Sequence, residues 1–432
     1  MKPIRVLIGL SEVAGHYRGL KLGFQRLGIP CTFINLSEHP FAFNADDDVW
    51  PVRFVQKTDT RRRRSSGLSW WGLALVQGVL QSVLFFRLLP RHDVFIYCAN
   101  RNLMAFADLL ILRLCGKKII YQMHGSDSRA PYFDGSYNGG DLLSDKSLLR
   151  LTRFKKLILR IIERFAHVVV NIPPQAHLCE RPFINWLYVG LGSFPPDSQE
   201  APPPCQGGGP IRIVHSPSDP GAKGTPLIRK AVERLKARGV DVAFVELVGV
   251  PNSKVIEEIK KADLIIDQMY ADYAMPGLAT ESAWYSKPVL ICGYAVDDWR
   301  NWMPADDLPP TCFRHPDELD DALYELATDA VKRQAIGTAM YEFVSSRWRP
   351  EQIAANYLRC LEDAPCHWWL DPKDCFYIHG CSISESRLEA RLRGYLEKFG
   401  VKALRLRDKT ELAAKIVKFA EGNGSARERI KG

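Results

Sequence analysis

Residues 215–225 combine residue types that suit the binding of a phosphate group. A short apolar run ends there in a Pro- and Gly-rich turn that carries one lysine, Lys223. Thr225 and Pro226 then begin a helix, with Thr as the cap and Pro in the first turn. A helix start presents free N–H groups and a positive dipole end, and Lys223 adds a full charge beside it. The stretch predicts a cradle for a diphosphate, although a lysine in a surface turn needs no ligand.

A second group of polar residues, His124 to Arg129, follows an apolar strand at residues 118–123. Its small residues, Gly125 and Ser126, let a ligand approach the backbone, while His124, Asp127 and Arg129 bring an imidazole, a carboxylate and a guanidinium together. This mixture suits sugar hydroxyls and a phosphate. We expect His124 and Asp127 to be catalytic. In the alternative, Asp127 caps a helix and His124 is an ordinary loop histidine.

Short strands and helices alternate around both groups, which is typical of parallel sheets covered by helices on both faces. Ligands in such sheets bind outside the carboxyl ends of the strands, where both groups lie. Residues 199–210 are rich in Pro and Gly and predict a linker between an N-terminal domain, residues 1–198, and a second domain, residues 211–363. Residues 186–189 are predicted as a short strand.

The C-terminal residues 364–432 are predicted to form a small α/β appendage with strands at 375–380 and 401–406. We assign no chemistry to it. The chain begins with a strand at residues 4–9 and a helix at 17–27, but it has no G-x-G-x-x-G there, so a dinucleotide site is not predicted.

Four motifs together resemble retaining GT-B glycosyltransferases of the family 4, or group 1, type. A bacterial branch of that family reads H-x-P-S-x-x-x-x-K-G-T, then A-D-I-x-I-D-Q-L, then E-A-M-A-x-G-K-P-V, in its donor domain. The first two are kept here almost letter for letter and the third in part, at residues 215–225, 262–269 and 281–289. The family's H-G-S-D-x-R matches residues 124–129, and the resemblance extends to about residue 360.

The resemblance implies a GT-B fold, two doubly wound Rossmann-like domains that face a cleft, with the last helix of the second domain crossing back to the first. It implies transfer of a hexose from a nucleotide sugar, such as a UDP- or GDP-sugar, to a hydroxyl of a bacterial surface glycan. The acceptor would be a polysaccharide or a lipid-linked or protein-linked glycan, and the anomeric configuration would be retained.

The resemblance also implies roles for single residues. It places Lys223 on the donor phosphates and Glu281, at a helix start, on the ribose hydroxyls, although a carboxylate there can merely complement the helix dipole. The other predicted residues bind the donor or the acceptor: Ser218, Gly224 and Gly277 on the donor side, and Gly15, His16 and Arg129 on the acceptor side. Alternatively, Gly15 only permits a tight turn and His16 is a solvated loop residue.

No metal and no cofactor besides the donor are expected, since Lys223 and the helix end would serve the diphosphate.

Two departures from the family pattern leave other functions open. Tyr273 stands where many members have a glutamate, and Ser286 stands where they have glycine. The main alternative is therefore a degenerate GT-B protein that binds nucleotide sugar or glycan, or scaffolds a synthesis complex. A GT-B-type epimerase is a third reading.

A basic run, Arg61 to Arg64, precedes twenty-two uncharged residues at 65–86. We predict a helix packed on the sheet, with Trp70, Trp71, Phe85 or Phe86 reaching an anionic membrane beside the arginines. In the alternative, the tryptophans belong to the core and the arginines to a solvated loop.

Charge and cysteine content set the remaining expectations. The formal net charge of +9 suits a phosphate-bearing partner or a membrane, and no basic stripe interleaved with aromatic residues indicates nucleic acid. The eleven cysteines lack CxxC pairs, which is typical of reduced thiols. We expect a cytoplasmic protein that is peripheral on the inner face of the membrane.

Overall fold

The computed structural model describes residues 3–36, 49–98, 101–137, 144–196 and 209–422. The first domain is built on a seven-stranded sheet in the order β12-β6-β5-β4-β3-β1-β2, in which only the pairing of β12 is antiparallel. Its strands are β1 Val6–Leu10, β2 Cys31–Asn35, β3 Val94–Cys98, β4 Lys118–Gln122, β5 Val168–Asn171, β6 Phe183–Asn185 and β12 Trp369–Leu370.

Apolar runs form the central strands, since both faces of this sheet are covered. Every residue of β1 and of β3 is buried. The helices of the first domain are α1 His16–Arg26, α2 Val52–Arg63, α3 Gly67–Leu88, α4 Ala107–Leu114, α5 Asp145–Phe165 and α6 Trp186–Val189. The strand predicted at residues 186–189 is wrong, because these four residues form helix α6. The observed strand β6 ends just before them, and the side chain of Asn185 caps the helix.

The second domain has a five-stranded parallel sheet in the order β11-β10-β9-β7-β8. Its strands are β7 Ile211–His215, β8 Val242–Glu246, β9 Leu264–Ile266, β10 Val289–Cys292 and β11 Cys312–Arg314. Its helices are α7 Thr225–Ala237, α8 Asn252–Lys261, α9 Gly277–Ala283, α10 Trp299–Trp302, α11 Leu319–Thr328, α12 Ala330–Arg347 and α13 Pro350–Glu362.

Helix α13 crosses back to the first domain and packs on α1. The approach is so close that a Cβ on Gly23 would lie 1.9 Å from the carbonyl oxygen of Pro350. The predicted fold class is confirmed: two Rossmann-like α/β domains face a cleft. Of the predicted linker, only its last two residues belong to the described part of the chain.

The C-terminal segment packs against the first domain. It contains β12, α14 Glu385–Phe399 and α15 Thr410–Ala420, and the buried side chains of both helices join the core that lies on the α3, α4 and α5 side of the sheet. The two strands predicted in this segment are wrong. Residues 375–380 are irregular, and the carbonyl of Tyr377 accepts from the His177 ring instead of from a neighbouring strand. Val401–Leu404 is a 3₁₀ turn.

Helix α3 confirms the predicted helix after the arginines, but most of it is not packed on the sheet. It is long and apolar enough to cross a membrane, and only 17% of its apolar window is buried. Leu84, Phe85 and Leu88 anchor its last turns in the core. Phe85 was predicted as membrane-facing and is instead fully buried.

Candidate functional site

The cleft between the domains holds two neighbouring cavities at the carboxyl ends of the parallel strands. One has a volume of about 400 Å³ and the other of about 360 Å³. Both are lined by residues of the β1–α1 loop, the β7–α7 loop and the start of α9, namely Val13, Ala14, Ser218, Lys223 and Gly277. The two cavities therefore lie next to each other, and Lys223 belongs to the lining of both.

His215 fixes the loop that carries Lys223. Its Nδ1–H donates to the carbonyl of Ile266 at 2.8 Å, so its Nε2 is the acceptor for the Thr225 hydroxyl at 2.9 Å. Burial lowers the pKa of His215, which keeps the ring neutral and suited to both bonds. One imidazole thus ties the end of β7 to β9 and to the first residue of α7.

Gly224 allows Lys223 to approach this helix start. Its φ of 73° is left-handed, and a Cβ there would lie 2.6 Å from the Cβ of Met269. The Lys223 ammonium contacts the amide oxygen of Gln268 and lies 3.6 Å from a carboxylate oxygen of Asp267. Lys223 and Ser218 line both cavities, whereas Gly224 and Thr225, the first residue of α7, line neither. The Thr225 N–H donates to the carbonyl of Pro220 at 3.0 Å, so it is not the free donor that the sequence predicted.

Glu281 lines the smaller cavity, but it does not begin a helix. It is the fifth residue of α9, because that helix already starts at Gly277, after Pro276. One carboxylate oxygen of Glu281 accepts from the Asn252 amide at 2.8 Å. Burial raises the pKa of Glu281 to about 7. The hydrogen bond from Asn252 opposes this shift, and the negative charge of Asp267 adds to it. The carboxyl group is poised to accept hydroxyl donors from a ligand.

The larger cavity is bordered by His124, whose Nε2 lies 2.5 Å from the Tyr17 hydroxyl. Its ring packs edge to face with Trp186, with ring centres 4.8 Å apart. Burial lowers the pKa of His124 to about 3, so the imidazole is neutral at pH 7. A neutral ring can orient a bound hydroxyl group by a hydrogen bond, but a pKa this low makes it a weak base.

Asp127 takes the structural position that the alternative reading described. One of its carboxylate oxygens accepts from the backbone N–H of His124 at 2.9 Å, and the Asp127 N–H donates to the His124 carbonyl at 2.8 Å, which closes a 3₁₀ turn. Asp127 is not one of the described residues that line the two cavities. Burial raises the pKa of Asp127 to about 7. The structure therefore places Asp127 as a support for the backbone of His124, behind the lining of both cavities.

Arg129 lines the larger cavity, but its charge is shared with two buried carboxylates. Its guanidinium pairs with Asp272 of the second domain, through Nε at 3.0 Å and a shorter Nη2 contact, and lies 3.2 Å from Asp134. Gln175 also donates to Asp272, at 3.3 Å. Arg129 thus forms an ion pair between the domains, and its predicted role toward an anionic acceptor does not follow from this geometry.

Gly15 and His16 lie behind the cavity wall. Gly15 has a left-handed φ of 78° and directs the chain into α1, while Val13 and Ala14 line the cavities. His16 is fully buried; it accepts from the Gly192 N–H at Nδ1, 2.7 Å away, and its Nε2 lies 3.0 Å from the Tyr357 hydroxyl. His16 is therefore not a solvated loop residue, and both its ring nitrogens are used inside the protein.

The two departures from the family pattern have structural counterparts. The Tyr273 hydroxyl accepts from the Gly125 N–H at 3.4 Å, so it bridges the domains at the cavity floor. Ser286 has a φ of 52°, the left-handed conformation that glycine usually takes. Beside it, Trp284 reaches the other domain, where its indole N–H donates to the Ser193 hydroxyl at 2.7 Å.

Several lining residues were not singled out as site residues from the sequence. Gln268 lay within a recognised motif, which was a signal for it, whereas Trp186 and the two tail residues Cys381 and Ser382 carried none. In the described part of the chain, no group of three or more His, Cys, Asp or Glu side chains is arranged to hold a metal ion.

No protein-family model and no curated protein matches this chain. Solved structures similar to it include the glycotransferase of kitacinnamycin, at 13% identity and a TM-score of 0.45, covering 84% of this chain and 100% of that one. SnogD from Streptomyces nogalater, a glycosyltransferase, matches at 15% identity and a TM-score of 0.39, covering 83% and 99%. Anabaena HepE with UDP and glucose matches at 11% identity and a TM-score of 0.45, covering 83% and 99%.

Proposed function

We propose that the protein is a glycosyltransferase that moves a hexose from a nucleotide sugar to a hydroxyl of a surface-glycan acceptor, with retention. The observation that carries the proposal is the position of Lys223, which lines both of the neighbouring cavities in the cleft. A sugar nucleotide has its parts in a matching order, with a nucleoside for one cavity, a diphosphate beside Lys223 and a sugar for the other cavity.

In this proposal the nucleoside occupies the smaller cavity. Glu281 and Asn252 meet the ribose hydroxyls there, since both line that cavity and are already bonded to each other. The diphosphate lies beside Lys223, near the positive end of the α7 dipole, where a cation and a helix dipole stabilise the departing anion. Stabilisation by these groups is what makes the transfer independent of a metal ion.

The sugar and the acceptor hydroxyl meet in the larger cavity. The neutral imidazole of His124 orients the acceptor hydroxyl and accepts a hydrogen bond from it, while Asp127 holds the turn that aims His124. Tyr273 and Trp186 form the apolar floor on which a sugar ring can pack. Retention and the choice of a glycan acceptor are carried over from the family resemblance.

Nucleotide binding tests the proposal. Thermal unfolding is measured with UDP, GDP, CMP and their common sugar conjugates, on the wild type, Lys223→Ala and Glu281→Ala. Lys236→Ala, an exposed lysine of the same helix α7, is the matched control. A ligand at about a hundred times its dissociation constant adds about 2.7 kcal/mol, or a shift of several degrees.

We expect one nucleotide to stabilise the wild type and the control but neither site variant. If no nucleotide or conjugate shifts the wild type, the donor assignment fails. If a nucleotide sugar binds but is never consumed with any glycan acceptor, the non-catalytic binding protein replaces the transferase.

We also propose that α3 rests on an anionic membrane at the inner, cytoplasmic face. Its outward residues form one apolar stripe at helical spacing, Leu68, Trp71, Leu75, Val79, Val83 and Phe86, and all six are exposed. Leu68 is 90% and Leu75 72% exposed, which is costly in water and favourable in a lipid interface.

The arginines beside this stripe supply the charge complementarity. Arg61 and Arg64 are exposed at the end of α2, while Arg62 and Arg63 pair with Asp59. Arg62 also stacks on Trp70, with its guanidinium carbon 5.4 Å from the ring centre, so Trp71 and not Trp70 faces outward. Anionic lipid attracts such a group by about 1 kcal/mol per basic residue.

Sedimentation with anionic and neutral liposomes tests this surface. Leu75→Glu, and Arg61 with Arg64 both changed to Ser, are expected to release the protein from anionic liposomes. Val331→Glu, at a 79% exposed valine of the second domain, is the control and stays bound. Sedimentation of Leu75→Glu equal to that of the control would refute the surface.

A further inference from the structure

The C-terminal tail segment, residues 377–385, lies between the two domains and contacts both. On the first domain, the Cys381 N–H donates to the carbonyl of Phe133 at 3.1 Å, and the Gly135 N–H donates to the carbonyl of Cys381 at 2.8 Å. On the second domain, the Ser382 N–H donates to the carbonyl of Tyr270 at 3.1 Å. The tail segment therefore bridges the cleft instead of forming a separate appendage.

The path of the tail segment is closely determined by its surroundings. A Cβ on Gly380 would lie 2.6 Å from the carbonyl oxygen of Phe133, so only glycine fits there. The next helix, α14, buries Leu388 and Leu392 in the first domain, and Arg391 donates to the carbonyl of Asp134 at 2.9 Å. These contacts hold the tail segment from the first domain while its backbone bonds reach the second.

This path brings Cys381 and Ser382 into the wall of the larger cavity, beside Arg129 and Asp272. Ser382 has a left-handed φ of 59°, an unusual conformation for a residue with a side chain, and such conformations cluster at ligand-binding sites. Neither residue lines the smaller cavity, as far as the described residues show. The tail segment thus borders the region beyond the diphosphate and not the nucleoside region.

We propose that Cys381 and Ser382 form a specificity-determining wall for the sugar that the donor carries. This inference rests on the proposed function and deepens it. The Ser382 hydroxyl offers a hydrogen bond to a sugar hydroxyl, and the two small side chains limit the size of the substituents that the sugar can bear. The C-terminal segment is then part of the substrate site, and the two GT-B domains alone leave that site incomplete.

The test compares the binding of a nucleoside diphosphate with that of its sugar conjugate. Ser382→Trp fills the larger cavity, whereas Ser386→Trp, two residues into α14 and exposed, adds the same ring outside it. UDP, GDP and CMP, with their sugar conjugates, are titrated against the full chain and both variants. We expect Ser382→Trp to bind the bare nucleotide as the wild type does and to lose affinity for the conjugate by about tenfold or more.

A milder variant separates the hydroxyl from the shape of the wall. Ser382→Ala is expected to keep nucleotide affinity and to weaken the discrimination between conjugates that differ in one sugar hydroxyl. Unchanged binding of the bare nucleotide also shows that the variants are folded.

The inference is wrong if Ser382→Trp binds the conjugate like Ser386→Trp does. It is also wrong if Ser382→Trp loses the bare nucleotide, since the tail segment would then act on the whole cleft. A wild type that binds no nucleotide overturns the proposed function itself, and the sugar wall with it.

Discussion

Replacing Glu281 by glutamine is expected to stabilise the ligand-free protein at alkaline pH. Burial raises the pKa of Glu281 to about 7, from 4.5 in the unfolded chain. A carboxyl group with a raised folded pKa leaves the folded state undisturbed at low pH and destabilises it increasingly as pH rises from 4.5 to 7. Integration over this window gives a destabilisation of about 0.8 kcal/mol at pH 5 and about 3 kcal/mol at pH 8.

Glu281→Gln removes this charge and keeps an oxygen that can accept from Asn252. The variant is therefore expected to gain about 2.5 kcal/mol more over the wild type at pH 8 than at pH 5. For a domain of this size the difference corresponds to about 5–10 °C in melting temperature. The same variant is expected to bind nucleotide more weakly, since a ribose hydroxyl loses its charged acceptor.

Thermal unfolding at both pH values checks the reasoning, with Glu257→Gln, at an exposed position of α8, as the control. The control is expected to show the same shift at both pH values. A Glu281→Gln variant that gains no more at pH 8 than at pH 5 would refute the assignment of a buried, destabilising carboxylate to this cavity.

Two further substitutions probe the cleft. Arg129→Leu leaves two buried aspartates without their arginine and is expected to destabilise the protein by about 3–5 kcal/mol in denaturant unfolding. The control Arg160→Leu, in an exposed pair, is expected to cost less than about 1 kcal/mol. Equal losses of stability in the two variants would show that the buried pair adds nothing. Gly224→Ala combines a left-handed φ with a steric clash, whereas Gly239→Ala has a left-handed φ and open space around the new methyl group. Gly224→Ala is therefore expected to lower the free energy of unfolding by about 1–3 kcal/mol more than Gly239→Ala. Equal losses would mean that the loop adjusts freely.

The fold was predictable because its signals are local. Apolar runs of four to six residues between helical repeats indicate buried parallel strands, and strands such as β1, β4 and β7 formed where these runs lie. The secondary-structure prediction failed where a short segment could form either a strand or another local structure. At residues 186–189 the cap supplied by Asn185 favoured a helix. At residues 375–380 the carbonyl of Tyr377 bonds to the His177 side chain, 200 positions away, where a strand ladder was predicted.

On the donor side of the candidate site, the predicted residues Lys223 and Ser218 reach the cavities together because they belong to one continuous loop. The acceptor side depended on contacts that no local pattern encodes. The partner of Arg129, Asp272, is 143 positions away, and the hydroxyl near His16 comes from Tyr357 on the crossing helix α13. The tail residues that border the cavity arrive through packing of α14, which a reading of the tail by itself does not reveal.

The most direct test of the account is transfer of a labelled sugar from the nucleotide sugar that the binding panel selects into a membrane-derived glycan extract. The wild type and Lys236→Ala are expected to release the nucleoside diphosphate and to label the glycan in equal amounts, while Lys223→Ala does neither at a comparable rate. Labelling that survives in Lys223→Ala would contradict the placement of the diphosphate. A wild type that labels no glycan from any nucleotide sugar would contradict the assignment as a transferase.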